Sequence, residues 1–141
     1  MKIQLLTIAI LIISGCYSRA IAQECLKYDT TVVLLTGTLR SRMFAGPPNY
    51  ESIKRGDRKE TALILVLATR ICTSSRETKG GDVSESKVRD VQLVVMKPAH
   101  WKTIQRRMGK RVAVTGKLFH ANTGHHRTKV LLDVASIRGA A

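Results

Sequence analysis

Acidic residues are scarce in this 141-residue chain, where 10 Asp and Glu stand against 24 Lys and Arg for a formal charge of +14. An excess of that size favours contact with polyanions such as anionic lipid head groups, acidic glycans or nucleic acid. Aromatic residues are also few, at 4% of the chain. Past residue 22 they are Tyr28, Phe44, Tyr50, Trp101 and Phe119, and single-strand nucleic-acid binding needs stacking platforms as well as a basic groove. With Trp101 and Phe119 assigned to the core, too few platforms remain, so nucleic acid is not the expected partner. Catalytic signatures are missing too: there is no GxSxG, no HExxH, no phosphate-cradling glycine loop and no CxxC. The enzyme reading shrinks to Glu51 with His126 as a general acid–base pair, and a non-catalytic protein is expected.

No apolar run reaches the roughly 20 residues a spanning helix requires. The longest extends only from Ile3 to Ile13, after Lys2, and is followed by small residues. This pattern reads as a secretory signal over residues 1–22, cleaved after Ala20-Ile21-Ala22. Ile13-Ser14-Gly15-Cys16 also fits the pattern at which bacterial lipoproteins are modified and cleaved, which would make Cys16 a lipid anchor. Membrane association follows only from that second processing. Under either choice the protein is exported, to the periplasm or outside the cell or to a lipid-anchored place in the envelope. Two cysteines then remain, Cys25 and Cys72, and in an oxidising compartment they suggest one disulfide. Cys25 precedes the first strand pattern and Cys72 ends the second, so antiparallel pairing of those strands brings them together.

Removal of Lys2 and Arg19 lowers the charge to +12 and leaves residues 23–141, a length that suits a single domain. The clearest local pattern is Lys110 to Val134. Val112, Val114, Gly116 and Leu118 alternate with polar or small residues, as do Val130, Leu132 and Val134, and a period of two means strand. Pairing like faces sets Leu118 against Thr128 and His120 opposite His126, with a five-residue turn from Ala121 to His125. Earlier come a strand over Thr31–Phe44 that bends at Gly37, a polar loop over 45–60, a buried strand over Thr61–Thr73, a hydrophilic connection tipped by Gly80-Gly81-Asp82, and a strand over Val88–Met96. Pro98 opens a short amphipathic helix in which Trp101, Ile104 and Met108 recur at helical spacing, ended by Gly109. The order is β-β-β-α-β-β. An all-β protein with one short helix, a five-stranded OB-fold-like small barrel, is the expected architecture.

Cys25 and the ordered motifs Gly37-Thr38-Leu39, Gly46-Pro47-Pro48-Asn49-Tyr50-Glu51-Ser52, Gly56-Asp57, Ile71-Cys72, Val91-Gln92-Leu93, Val114-Thr115-Gly116-Lys117-Leu118-Phe119 and Thr123-Gly124-His125-His126 together resemble the bacterial family called domain of unknown function 4431. The resemblance implies a secreted bacterial domain and brings no activity with it. Arg70 departs from the pattern, which has proline there.

In OB-folds the first-to-second and fourth-to-fifth strand loops border the usual ligand face. Here those loops carry Asn49, Tyr50, Glu51 and Asp57 on one side and Thr123, His125 and His126 on the other. An aromatic platform, carboxylates and imidazoles at one rim suit a sugar, a peptide or a metal, while both turn sequences equally suit residues that serve their own backbone. His120 and His126 are the candidate zinc or copper ligands, with His125, Glu51 or Asp57 needed to complete a shell of three or four. The expectation is an envelope binding or accessory module that contacts an anionic component, a polar ligand or a protein partner. Metal binding at His120 and His126 is the alternative.

Overall fold

A computed structural model describes residues 24–75 and 84–141. The expected leader over 1–22, Cys16 and the Gly80-Gly81-Asp82 tip lie outside the described residues. Six strands and one α-helix follow in order: β1 Leu26–Lys27, β2 Val32–Ala45, β3 Lys59–Ser74, β4 Glu85–Val94, α1 Ala99–Arg107, β5 Arg111–His120 and β6 Val130–Gly139. β3 pairs with β2, β2 with β5, β5 with β6, β6 with β4, and β4 returns to β3. The five long strands thus close a ring, with the helix between its third and fourth members. This is the OB-fold-like order expected from the strand and helix pattern. β1 is an addition, two residues that pair parallel with Thr73 and Ser74 at the end of β3.

β2 belongs to two halves of the ring: Val32–Thr38 pairs with β5, and Gly37–Ala45 pairs with β3. The strand turns from one partner to the other at Gly37, where an added Cβ would collide with the Val66 carbonyl. Gly116 has the same constraint against the Asp133 carbonyl, beside the register shift between Thr115 and Gly116. The interior is lined by the face the alternation marks. Val112, Val114, Leu118, Val130 and Leu132 are all fully buried, each such side chain contributing about 1.5–3 kcal/mol through removal from water.

Cys25 and Cys72 form a disulfide with Cα atoms 4.7 Å apart, placed by the β1–β3 pairing immediately beside it. It closes a loop of sequence separation 47, which the chain-entropy model values at about 4 kcal/mol. Next to it, the buried Tyr28 hydroxyl and Thr73 hydroxyl share a 2.6 Å hydrogen bond. Burial raises the Tyr28 pKa above the usual tyrosine value, with the Thr73 hydrogen bond opposing and the Glu85 charge adding to the rise.

Two expectations need correction. In α1 only Ile104 is buried, while Trp101 is 45% and Met108 37% exposed. A helix that meets the ring at one end has a single side chain to insert. The β5–β6 register also differs: Leu118 pairs with Leu132 and His120 with Val130. Both registers put the same faces inward, so alternation alone does not choose between them. The longer connection wins because it has partners of its own. Thr128 Oγ1 donates to the Val130 carbonyl at 2.7 Å and accepts from Gln92 N–H at 3.0 Å, and the Gln92 side chain accepts from Arg127 N–H.

Candidate functional site

Gln92 is the register partner of Ile64 on β3 and of Leu131 on β6. Ile64 and Leu131 are fully buried although they alternate with the core residues Leu65 and Leu132 and face outward. The connection over residues 121–129, tied to Gln92, folds back across this outer face and covers it. Glu60 and Phe44, paired on β3 and β2, share that face. The loop over 46–58 comes from the same end, so the two loops expected to meet do meet, outside the ring wall.

Their contact centres on Tyr50 and His125. The Tyr50 hydroxyl lies 3.4 Å from His125 Nε2, and the two rings pack edge to face with centroids 5.6 Å apart. His125 Nδ1–H donates to Glu60 Oε2 at 3.1 Å, and Nε2 faces the Tyr50 hydroxyl. Arg127, its side chain 8% exposed, donates to the same carboxylate and lies over the rings of both Tyr50 and Phe44, 5.3 and 5.6 Å from their centroids. Burial alone would raise the Glu60 carboxyl, but hydrogen bonds from His125 and Arg127, with their charges, hold it below the usual glutamate range. Carboxylate, imidazole and phenol therefore stand in line, and a cation backs the phenol ring.

Asp57 has a different place. It is buried, and its carboxylate accepts the backbone N–H groups of Asn49, Glu51 and Ser52 at 2.8–3.0 Å and the Asn49 side-chain amide at 3.2 Å. These bonds, that from Ser52 foremost, lower its pKa below the usual aspartate value against the opposing effect of burial. The bonds bracket Tyr50, whose φ of 60° is in the left-handed region that a bulky side chain rarely adopts. Tyr50 N–H donates to the Gly46 carbonyl at 2.9 Å, within a turn that holds the cis Pro47-Pro48 bond. Asn49 and Asp57 build the loop that presents Tyr50.

The other candidates are more dispersed. Glu51 is exposed and pairs with Arg55 at 2.8 Å. The Thr123 carbonyl accepts from His126 N–H at 3.1 Å, and His126 Nδ1 accepts from Asn122 N–H at 2.9 Å, so both serve their own turn. His126 packs on Phe119 on the outer face, while His120 packs on Tyr28 and reaches Glu85 at 3.4 Å from the inner one. The expected His120–His126 opposition is replaced by the observed register. Among the described residues no group of three or more His, Cys, Asp or Glu is placed to hold a metal ion. Glu51 and His126 likewise form no pair; the carboxylate–imidazole contact belongs to Glu60 and His125. Sequence reading missed Glu60, Gln92 and Arg127, for which the only signals are an acid at the mouth of an apolar strand and a cation directly after two histidines.

Fold and site together define a small OB-fold-like ring of strands with a polar, aromatic-centred contact between two loops on its outer face. Residues 90–138 match the family model described as domain of unknown function (DUF4431), which supports the resemblance carried by the sequence motifs. No curated protein matches the chain. No helix among the described residues is long and apolar enough to cross a membrane.

Proposed function

We propose that this protein is an exported binding module of the bacterial cell envelope, which holds a polar ligand at Tyr50 and His125. The observation that carries the reading is the αL backbone of Tyr50, held by Asp57 and backed by Arg127 so that a 37% exposed aromatic ring is fixed at the surface. A fixed aromatic ring beside an imidazole offers an apolar face and hydrogen-bonding groups to one ligand without further ordering. Two of the cations at the contact are paired, as Glu60 answers Arg127 and Glu51 answers Arg55. A hydroxyl-bearing ligand such as a glycan segment fits this surface better than a polyanion does. Export rests on the leader pattern and is supported by the disulfide.

The test is retention of the oxidised protein on immobilised envelope glycans and peptides, at low and high salt. Tyr50→Ala and His125→Ala are each expected to weaken retention about tenfold, with little salt dependence. Retention unchanged in both variants rules the site out. Zinc, copper and chelator arms in the same panel address the metal alternative, which predicts a shift reversed by chelator.

A further inference from the structure

Residues 97–111 contain Lys97, Lys102, Arg106, Arg107, Lys110 and Arg111 and no Asp or Glu. The ion pairs among the described residues all lie elsewhere, on Asp90, Glu51, Glu85 and Glu60. Thr103, Arg106, Arg107 and Lys110 line a groove of about 390 Å³. Spacings of three and four put Thr103, Arg106 and Arg107 on one face of α1, and Lys110 joins them from the turn that follows. Arg107 lies against Gly139, where an added Cβ would be 2.6 Å from its Cζ, so the guanidinium is seated on bare backbone. The turn itself is fixed to the ring, with Gly109 N–H donating to the Leu39 carbonyl and Leu39 N–H to the Lys110 carbonyl at 2.9 and 3.0 Å.

Cations in the last helical turn are favoured by the macrodipole, by about 0.3–1 kcal/mol. That accounts for Arg106 and Arg107. It does not account for Lys110, which stands beyond the helix, nor for a concave wall with a hydroxyl and no counter-charge. Two guanidinium forks, an ammonium and a hydroxyl supply only donors, the set that phosphate oxygens accept from most strongly. We infer that this groove is a binding site for a ligand carrying clustered phosphate groups, separate from the Tyr50–His125 surface. Arg107 packs at Gly139, the last residue of β6, whereas His125 and Arg127 come just before Val130, its first. At about 3.3 Å per residue the two places are roughly 30 Å apart.

Titration calorimetry on the oxidised protein tests this with sodium tripolyphosphate, and with phosphatidylcholine vesicles containing phosphatidic acid in a parallel arm. The expected result is one saturable site, weakened about tenfold or more by Arg106→Gln with Lys110→Gln and less than about twofold by Lys27→Gln with Arg89→Gln. All four positions are exposed, so both double variants retain the fold, and they remove the same charge. Binding of tripolyphosphate alone assigns a soluble phosphate, and binding of vesicles alone assigns a lipid headgroup; each supports the groove. Equal losses in the two double variants, or binding in neither arm, overturns it, because the charge then acts as a diffuse field.

Discussion

The hydroxyl of Tyr50 and Nε2 of His125 stand 3.4 Å apart, joining two loops that are 75 residues apart in the chain. Neither residue is buried, so the contact is stabilised chiefly by what stands behind it, Glu60 on the imidazole and Arg127 on the phenol ring. Tyr50→Ala and His125→Ala should therefore be non-additive. A double-mutant cycle in urea is expected to return a coupling of about 0.5–1 kcal/mol. Additive losses would mean that the loops are held independently, and that the edge-to-face contact contributes nothing.

Asp57 makes the same loop sensitive to acid. Its carboxyl is held below the usual aspartate value by hydrogen bonds from Ser52, Asn49 and Glu51, so its stabilising contribution is complete above the unfolded-state value and is lost as pH falls through the lowered folded one. The sign is thus destabilisation in acid. The thermal midpoint is expected to hold from neutrality down to about pH 4 and then fall. Asp57→Asn should begin lower at neutral pH, because an amide nitrogen would then face backbone donors, and should show a shallower acid limb. Parallel curves would assign the acid sensitivity to other carboxylates.

The Tyr28–Thr73 bond is a buried pair beside the disulfide, at 2.6 Å. Tyr28→Phe leaves the Thr73 hydroxyl, 1% exposed, without this partner, at an expected cost of about 1–3 kcal/mol. Adding Thr73→Val removes the stranded hydroxyl and should recover a substantial part of that loss. Urea unfolding of the two single variants and the double variant decides it. Failure of Thr73→Val to recover any stability would show that Thr73 finds another partner when Tyr28 cannot serve.

What the sequence made legible was whatever period and compartment determine. Alternation through Val112 to Leu118 and Val130 to Val134 marked the buried faces, and Cys25 and Cys72, at the two strand ends, marked the disulfide. Register was not legible, because a slip by an even number of residues preserves the alternation. It is set by Gln92 on a distant strand and by the Gly116 contact with Asp133. The two loops could be named from turn chemistry, and they do meet. Yet Asp57, Asn49 and Tyr50 looked equivalent in sequence, and only the hydrogen bonds separate the residues that build the loop from the one it presents. Glu60 and Arg127 are 67 residues apart, and no local pattern couples them.

Helix α1 gives the sharpest contrast between pattern and packing. Trp101, Ile104 and Met108 share helical spacing, which reads as one apolar face, but a nine-residue helix set against the end of a ring covers only what lies directly beneath it. Ile104, at 1% exposure, is that residue. Ile104→Ala is expected to cost about 2–5 kcal/mol, the range for a large side chain removed from a core that cannot fully collapse. Trp101→Ala, despite deleting more atoms, should change stability by no more than about 0.5 kcal/mol, as exposed positions usually do. Chemical unfolding of the two variants orders them. A larger loss at Trp101 would mean that its ring covers apolar surface that its 45% exposure does not reveal, and the helix would then contribute to the ring through a broad face instead of a single inserted side chain.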